Sequence, residues 1–236
     1  MIKVKIATKK LGYFSEEAYK SLRTNLMFCG ENKRVIALTS CTPGEGKSNI
    51  SLNLSIALAK TEKRVLLIEA DLRKPVLMGK LEVKEKIKGL TYYLSGQAFL
   101  QDVICDTDIP RLHIIFAGRI PPNPTELLGG ERFAPMIRCL RNSYDYIIID
   151  TPPLGSVIDC AVVAENCDGV MMVIETKSIS YKLAQEVKGQ LEKTKCSILG
   201  VVLNKEEQNR RSYRSRYGKS VPYGRYEKSE EEKKSG

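Results

Sequence analysis

The sequence predicts an α/β fold: a mostly parallel sheet with helices on both faces. Three observations predict it. Apolar runs of strand length alternate with stretches of helical spacing between residues 35 and 204, the pattern of βαβ units. The stretch Thr39-Ser-Cys-Thr-Pro-Gly-Glu-Gly-Lys-Ser48 joins an apolar run, Val35-Ile-Ala-Leu38, to a segment carrying Ile50, Leu52, Leu54, Ile56, Ala57 and Leu58. Two further apolar runs end in carboxylates, one at Glu69 and Asp71 and the other at Asp150. Carboxyl ends of strands are where open α/β sheets place ligand chemistry. Together these features specify a P-loop NTPase-like sheet.

The composition agrees. With 236 residues, 42% hydrophobic and 28% charged, the chain can build one large domain, and disorder of its bulk is excluded. The sequence has neither an apolar run long enough to span a bilayer nor the apolar core of a signal peptide. A cytoplasmic protein is therefore expected. Seven cysteines, scattered and without a Cys-x-x-Cys pair, and a single histidine exclude a zinc site and a disulfide framework. Cys41, inside the loop, reads as a small filler rather than a reactive thiol. The net charge of +10 fits nucleic acid, an anionic membrane surface or a phosphate-rich ligand, and composition does not choose among them.

Before the loop, Ala18, Leu22, Leu26 and Met27 stand at helical spacing, with Ser15 as expected N-cap and Glu16 and Glu17 in the first turn. Glu17, Lys20 and Arg23 recur every third residue and line one side of that helix, either as a solvated face or as a face meeting another subunit. In the loop, Gly44 and Gly46 permit a tight turn whose backbone N–H groups wrap a phosphate at the positive end of the next helix. Thr42, Pro43, Gly44, Glu45, Gly46, Lys47, Ser48 and Asn49 form this nucleotide-binding stretch. Lys47 is placed to reach the β- and γ-phosphates and the Ser48 hydroxyl to bind Mg²⁺. The usual pattern has glycine where this chain has Cys41.

Arg64-Val-Leu-Leu-Ile-Glu-Ala-Asp-Leu-Arg-Lys-Pro75 reads as a buried strand ending in two carboxylates. Glu69 and Asp71 are two apart and start on the same side of an extended chain, with Arg73 following on that side. A short helix is expected at Leu90–Leu94 and a strand over Arg111–Gly118. Pro121-Pro-Asn-Pro-Thr-Glu-Leu-Leu128 leads into a helix expected to run to about Asn142. Tyr144-Asp-Tyr-Ile-Ile-Ile-Asp-Thr-Pro-Pro153 is a second carboxylate strand, whose Asp150 stands in the Walker B manner opposite Ser48. Then follow a helix (158–165), a strand (169–174), a helix (181–194) and a strand (198–203). Asn204 closes the globular part, its amide suited either to a nucleotide base or to a turn.

From Lys205 the composition turns charged and polar, and residues 205–236 are expected to form a flexible tail separate from a domain at 1–204. Tyr213, Tyr217, Tyr223 and Tyr226 are interleaved there with arginines, a pattern open to base stacking or to phosphate acceptance.

Taken together, the motifs at 17–25, 42–48, 69–75, 121–128, 148–153 and 200–204 and the tyrosine cluster resemble the bacterial tyrosine kinase family. The likeness is to the cytoplasmic autokinases of capsular and exopolysaccharide assembly. The resemblance covers nearly the whole chain. It implies a P-loop kinase that uses ATP and Mg²⁺ to phosphorylate Tyr213, Tyr217, Tyr223 and Tyr226 between subunits. It places Lys47 and Ser48 in Walker A roles, Glu69, Asp71 and Arg73 in the family's second Walker motif, and Asp150 in the Walker B role. Ser48, Asp71 and Asp150 then hold the metal. One of Glu69 and Asp71 orients or deprotonates the tyrosine hydroxyl, and which one stays open.

The resemblance further implies a homo-oligomeric ring through Glu17, Lys20 and Arg23 that dissociates on phosphorylation. It also implies a separate membrane activator or polysaccharide co-polymerase, recruitment to the inner face of the plasma membrane, and a phosphotyrosine phosphatase. Nucleic acid is not an implied partner. The chain departs from the family at Glu69, where aspartate is usual, at Lys20, where arginine is usual, and at Asn49, where a hydroxyl residue is usual. The alternatives are a partition or positioning ATPase, which carries a lysine where this chain has Thr42, and an ATP-binding pseudokinase adaptor.

Overall fold

The computed structural model describes residues 2–6, 11–83 and 85–206. In chain order the elements are β1 (Lys3–Val4), α1 (Tyr13–Phe28), β2 (Val35–Ser40), α2 (Lys47–Ala59), β3 (Val65–Glu69), α3 (Leu77–Lys80), α4 (Leu90–Leu94) and α5 (Leu100–Val103). There follow β4 (Cys105–Thr107), β5 (Leu112–Ile115), α6 (Pro124–Gly129), α7 (Phe133–Leu140), β6 (Tyr146–Asp150), α8 (Asp159–Ala164), β7 (Gly169–Glu175), α9 (Tyr181–Glu192) and β8 (Ile198–Asn204). The strands form one sheet in the order β1-β4-β5-β3-β6-β2-β7-β8. Every pairing is parallel except β4 with β5.

The central strands are unbroken apolar runs because both faces of the sheet are covered. Ile36, Leu38, Leu67 and Ile148 point into one core with Leu54 and Leu58 of α2. Val35, Ala37, Leu66, Ile68, Ile147 and Ile149 point into the other, with Phe133 and Ile137 of α7 and Leu191 of α9. The alternation follows the two-residue period of a strand. Helix α2 is buried nearly all round, its small polar Ser51 and Ser55 included, because it is enclosed between the sheet and α1. In-register pairing sets Glu69 beside Asp150 and Asp150 beside Leu38. The acidic strand ends and the loop after β2 therefore share one edge of the sheet.

Four expectations change. Helix α1 begins at Tyr13, two residues ahead of Ser15, with extended Gly12 as its cap residue. Ser15 is thus already inside the first turn. Ala18 and Met27 are exposed, and the face laid on α2 is Tyr19, Leu22 and Leu26. The helix expected to run to Asn142 is two helices, α6 and α7, separated at Gly130, which is extended. Glycine is a poor helix former, and the pair Gly129-Gly130 supplies two in succession. Strands β1 and β4 were not expected, because two or three residues carry too little periodicity to be read. Among the described residues no helix is long and apolar enough to cross a membrane. The tail tyrosines Tyr213, Tyr217, Tyr223 and Tyr226 lie outside the described residues.

Candidate active site

Gly44 and Gly46 adopt φ of 88° and 92°, the left-handed region that side chains with a Cβ avoid. Gly46 is also the cap residue of α2, so the loop delivers its amides to that helix's N-terminus. A Cβ on Gly46 would lie 2.2 Å from Asn204 Nδ2. The loop is braced from behind. Glu45, almost fully buried, accepts hydrogen bonds at Oε2 from the Cys41 and Thr42 amides at 2.7 and 2.9 Å. Asn204 Nδ2 donates to the Glu45 carbonyl at 2.8 Å. That donation is made to the loop rather than to a base, so Asn204 holds the loop to the end of β8. Pro43, Gly44 and Asn49 are exposed at the mouth, and Thr42 is half-buried. Burial, assisted by the Glu45 charge, pushes the Cys41 thiol up to about 11. It stays protonated at neutral pH and acts as filler.

Lys47, the first residue of α2, turns its Nζ to Asp71 Oδ2 at 3.4 Å, with both side chains nearly enclosed. The other Asp71 oxygen accepts from the Lys74 amide at 3.0 Å. Asp150 is fully buried at the end of β6. Its Oδ1 accepts from the Ser51 hydroxyl at 3.4 Å, while among the described residues Oδ2 has no hydrogen-bond partner. A buried carboxylate oxygen without a donor is costly unless a cation satisfies it. Burial raises the Asp150 pKa to about 6; Lys47 and the Ser48 hydroxyl pull it back, and Glu69 and Asp71 push it further up. With Ser48 at the head of α2, this all-oxygen donor set suits Mg²⁺. Ser51 was missed by the sequence reading. Its one signal was its place one turn after Lys47, whose carbonyl it also bonds at 2.9 Å.

The raised Asp150 pKa makes a signed prediction for metal-free protein. The folded value of about 6 lies above the unfolded value of about 3.9. The stability this group contributes is therefore fully present below pH 4 and lost as the pH rises through 6. Asp150→Asn is expected to raise the melting temperature at pH 7 in the presence of a chelator. The gain corresponds to about 2–3 kcal/mol and shrinks toward zero at pH 4. Thermal unfolding of both proteins across that range checks it, and a pH-independent difference would contradict the prediction.

Glu69 is placed otherwise than its spacing suggests. Its Oε1 accepts from the Val76 and Leu77 amides, both at 2.7 Å, and Oε2 accepts from the Ala117 amide at 3.1 Å. It is fully buried, and that burial raises its pKa against the pull of those amides. Both oxygens are thus committed to the backbone. The expected row of Glu69, Asp71 and Arg73 does not form, because β3 ends at Glu69 and the two-residue alternation ends with it.

Arg73 turns to Asp159. Nε meets Oδ2 at 2.7 Å and Nη2 meets Oδ1 at 3.0 Å. Thr125 Oγ1 donates to Asp159 Oδ1 at 2.6 Å and accepts from Arg73 Nη2 at 2.9 Å. Neither Asp159 nor Thr125 had been singled out as a site residue. Thr125 sits in the Pro-Pro-Asn-Pro-Thr-Glu-Leu-Leu motif, which was the available signal.

On α1, Glu17 and Lys20 form an ion pair at 2.7 Å on the surface. Arg23 is half-buried and donates from Nη1 to the Ala57 carbonyl at 3.1 Å. The three charges therefore do not face outward as one row.

A left-handed glycine loop feeding a helix N-terminus, with a lysine and two acidic strand ends around it, defines the class: a P-loop protein built to hold a nucleotide polyphosphate. The AAA domain family matches residues 33–198. Tyrosine-protein kinase CpsD of Streptococcus agalactiae is 41% identical over 220 residues, 93% of this chain and 93% of that protein. Among solved structures, the chimerical protein CapA2B2 has a TM-score of 0.80 at 30% identity, covering 87% of this chain and 93% of its own. The kinase domain of the Escherichia coli tyrosine kinase ETK has a TM-score of 0.78 at 30% identity, with 92% and 86% covered. The chain belongs to the bacterial tyrosine-protein kinases of the AAA domain family.

Proposed function

We propose that this protein is an ATP-dependent protein-tyrosine kinase of capsular or exopolysaccharide assembly. It transfers the γ-phosphoryl group of ATP to its own tail tyrosines, Tyr213, Tyr217, Tyr223 and Tyr226, between subunits. The observation that carries the reading is the enclosed Lys47–Asp71 pair at the mouth of the loop, next to an Asp150 oxygen without a donor. Phosphoryl transfer asks mainly for positioning and charge neutralisation around an in-line attack.

The loop amides of residues 45–48 and the Lys47 side chain hold the β- and γ-phosphates. Ser48 and Asp150 hold Mg²⁺, with Asp71 within reach of the same group. When bound, the ion neutralises phosphate charge as a Lewis acid. Asp71 is the carboxylate to orient the tyrosine hydroxyl and take its proton: both Glu69 oxygens are tied to backbone amides, whereas among the described residues Asp71 Oδ2 meets only Lys47, at 3.4 Å, which the phosphates draw away. The phenolic oxygen forms the new bond to phosphorus, the bond to the ADP oxygen breaks, and the proton passes to Asp71. Asn204 serves by bracing the loop.

The acceptor subunit is presented by a homo-oligomer, a ring formed through α1. Support comes from Tyr13 and Phe14, whose rings meet edge to face at the start of α1, one turn before Glu17, and which expose 71% and 53% of their surface. Apolar side chains clustered on a helix surface suit a protein contact. Arg23, turned to α2, would take part by fixing α1 rather than by reaching a neighbour. Each added phosphate brings a charge of about −1.5 to −2, which would release a basic tail from a neighbour's site. A membrane activator recruits the kinase to the inner face of the plasma membrane, and a phosphotyrosine phosphatase resets it.

The test is phosphotyrosine mass spectrometry on the protein with ATP and Mg²⁺, with and without the cytoplasmic segment of a candidate activator. Phosphate is expected on the tail tyrosines and is expected to vanish in Lys47→Ala. One observation favours a second reading, an ATP-binding adaptor without transfer: the engagement of Glu69 by backbone. ATP binding without phosphotyrosine under all conditions would select it.

A further inference from the structure

We propose that Asp159 and Thr125 are positioning residues that set the Arg73 guanidinium so that its remaining edge meets the transferring phosphoryl group; this rests on the kinase reading above. A guanidinium has five N–H donors in a rigid plane. Three are spent on Asp159 and Thr125: the Nε donor and both Nη2 donors. Among the described residues Nη1 makes no hydrogen bond, and the Arg73 side chain keeps 38% of its surface open. The Asp159 side chain has none of its surface open.

This asymmetry separates the proposal from a plain staple between loops. A fully buried pair would leave the guanidinium no open donors, whereas here the Nη1 edge stays open. Here a dry carboxylate, tightened by a threonine hydroxyl, fixes a cation that faces outward. The anchoring is firm: Arg73 and Thr125 hold the Asp159 carboxylate below its ordinary range although burial alone would raise it. Three separate segments converge to build the fork, from the ends of β3 and from the starts of α6 and α8.

The cation stays within the electrostatic reach of the Asp71 carboxylate. Arg73 lies two residues beyond Asp71, and the intervening Leu72 is fully buried and anchors the segment. A planar donor edge presented by such a segment recognises phosphate oxygens. The pairing with Asp159 compensates the arginine charge in the resting state. The remaining donors then act where charge spreads over the equatorial oxygens during transfer.

The experiment measures two quantities in wild type, Asp159→Asn, Thr125→Val and Arg73→Ala: tail phosphotyrosine formed per turnover, and binding of Mg²⁺·ADP with and without aluminium fluoride. The fluoride complex stands in for the transferring phosphoryl group and reports without any kinase activity. Asp159→Asn and Arg73→Ala are expected to lose roughly tenfold or more in the fluoride-dependent gain in affinity, with ADP binding alone unchanged. Thr125→Val, a same-shape change at a half-buried site, should lose a smaller part, and Thr125→Ser, which keeps the hydroxyl, should lose less still. Arg73→Ala combined with Asp159→Asn should be no worse than Arg73→Ala alone, because Asp159 acts through Arg73.

A fluoride-dependent gain equal to wild type in Thr125→Val and Asp159→Asn would overturn the proposal, whatever the kinase assay shows. The same holds if those variants lower the melting temperature without touching the gain, since the fork is then only a staple. If wild type makes no phosphotyrosine while the fluoride-dependent gain is lost in the variants, the kinase reading fails and the fork stands.

Discussion

Replacing Asp71 by asparagine is expected to slow phosphoryl transfer roughly 10²- to 10⁴-fold while leaving ATP bound. Asparagine keeps the shape of the side chain but neither accepts a proton nor carries charge. General-base catalysis by one positioned group contributes about that range. The sign on binding is opposite. Asp71 lies 3.4 Å from Lys47 and compensates its charge. Without it, Lys47 offers its full charge to the triphosphate, so ATP should bind as tightly as in wild type or more tightly. Single-turnover formation of phosphotyrosine, with calorimetric titration of ATP alongside, separates the two effects. An unchanged transfer rate would move the proton acceptor away from Asp71, and a weakened ATP affinity would make Asp71 a binding residue.

Removing the Glu69 carboxylate is expected to cost the fold more than the chemistry. Glu69→Ala leaves the Val76, Leu77 and Ala117 amides without their acceptor. Each unsatisfied buried donor costs about 1–3 kcal/mol, so the three sum to on the order of 3–9 kcal/mol. At about 2–4 °C per kcal/mol for a domain of this size, the melting temperature should fall by roughly 6–36 °C. Glu69→Gln keeps one acceptor oxygen and should lie between wild type and alanine, which keeps the prediction measurable if alanine does not fold. Glu69→Asp, the residue usual in the family, is a methylene shorter and should also melt below wild type. At a temperature where Glu69→Gln is fully folded, its transfer rate should stay within a few-fold of wild type. A loss of rate as large as that of Asp71→Asn, at unchanged stability, would restore Glu69 to the reaction itself.

These two carboxylates show how far the sequence could be read. Both stood out as acidic groups at the end of an apolar run, and both lie at the edge where the loop opens. Their division of labour was not legible. A two-residue spacing places side chains on one side only while the chain stays extended, and β3 stops at Glu69 itself. Asp71, in the irregular segment that follows, meets Lys47. Arg23 was lost in the same way. Its spacing from Glu17 and Lys20 is regular, but helix α1 rests on α2, and the Ala57 carbonyl is near enough to draw the guanidinium inward. The expected helix to Asn142 failed for a local reason that was present in the sequence, the pair Gly129-Gly130, whose helix-breaking preference prevails where no packing opposes it.

By itself the sequence determined the alternation of strands and helices, because parallel strands buried on both faces must be apolar throughout. It also determined the phosphate loop, because only glycine takes the backbone at positions 44 and 46 without strain. The tertiary structure decided which polar groups meet. Asp159 joins Arg73 from 86 positions along the chain, Asn204 joins Glu45 from 159, and Glu69 reaches Ala117 from 48. Such pairings depend on the order of strands in the sheet and on where each strand ends. Local periodicity carries neither, since it records which side of an element is buried and not what lies across from it.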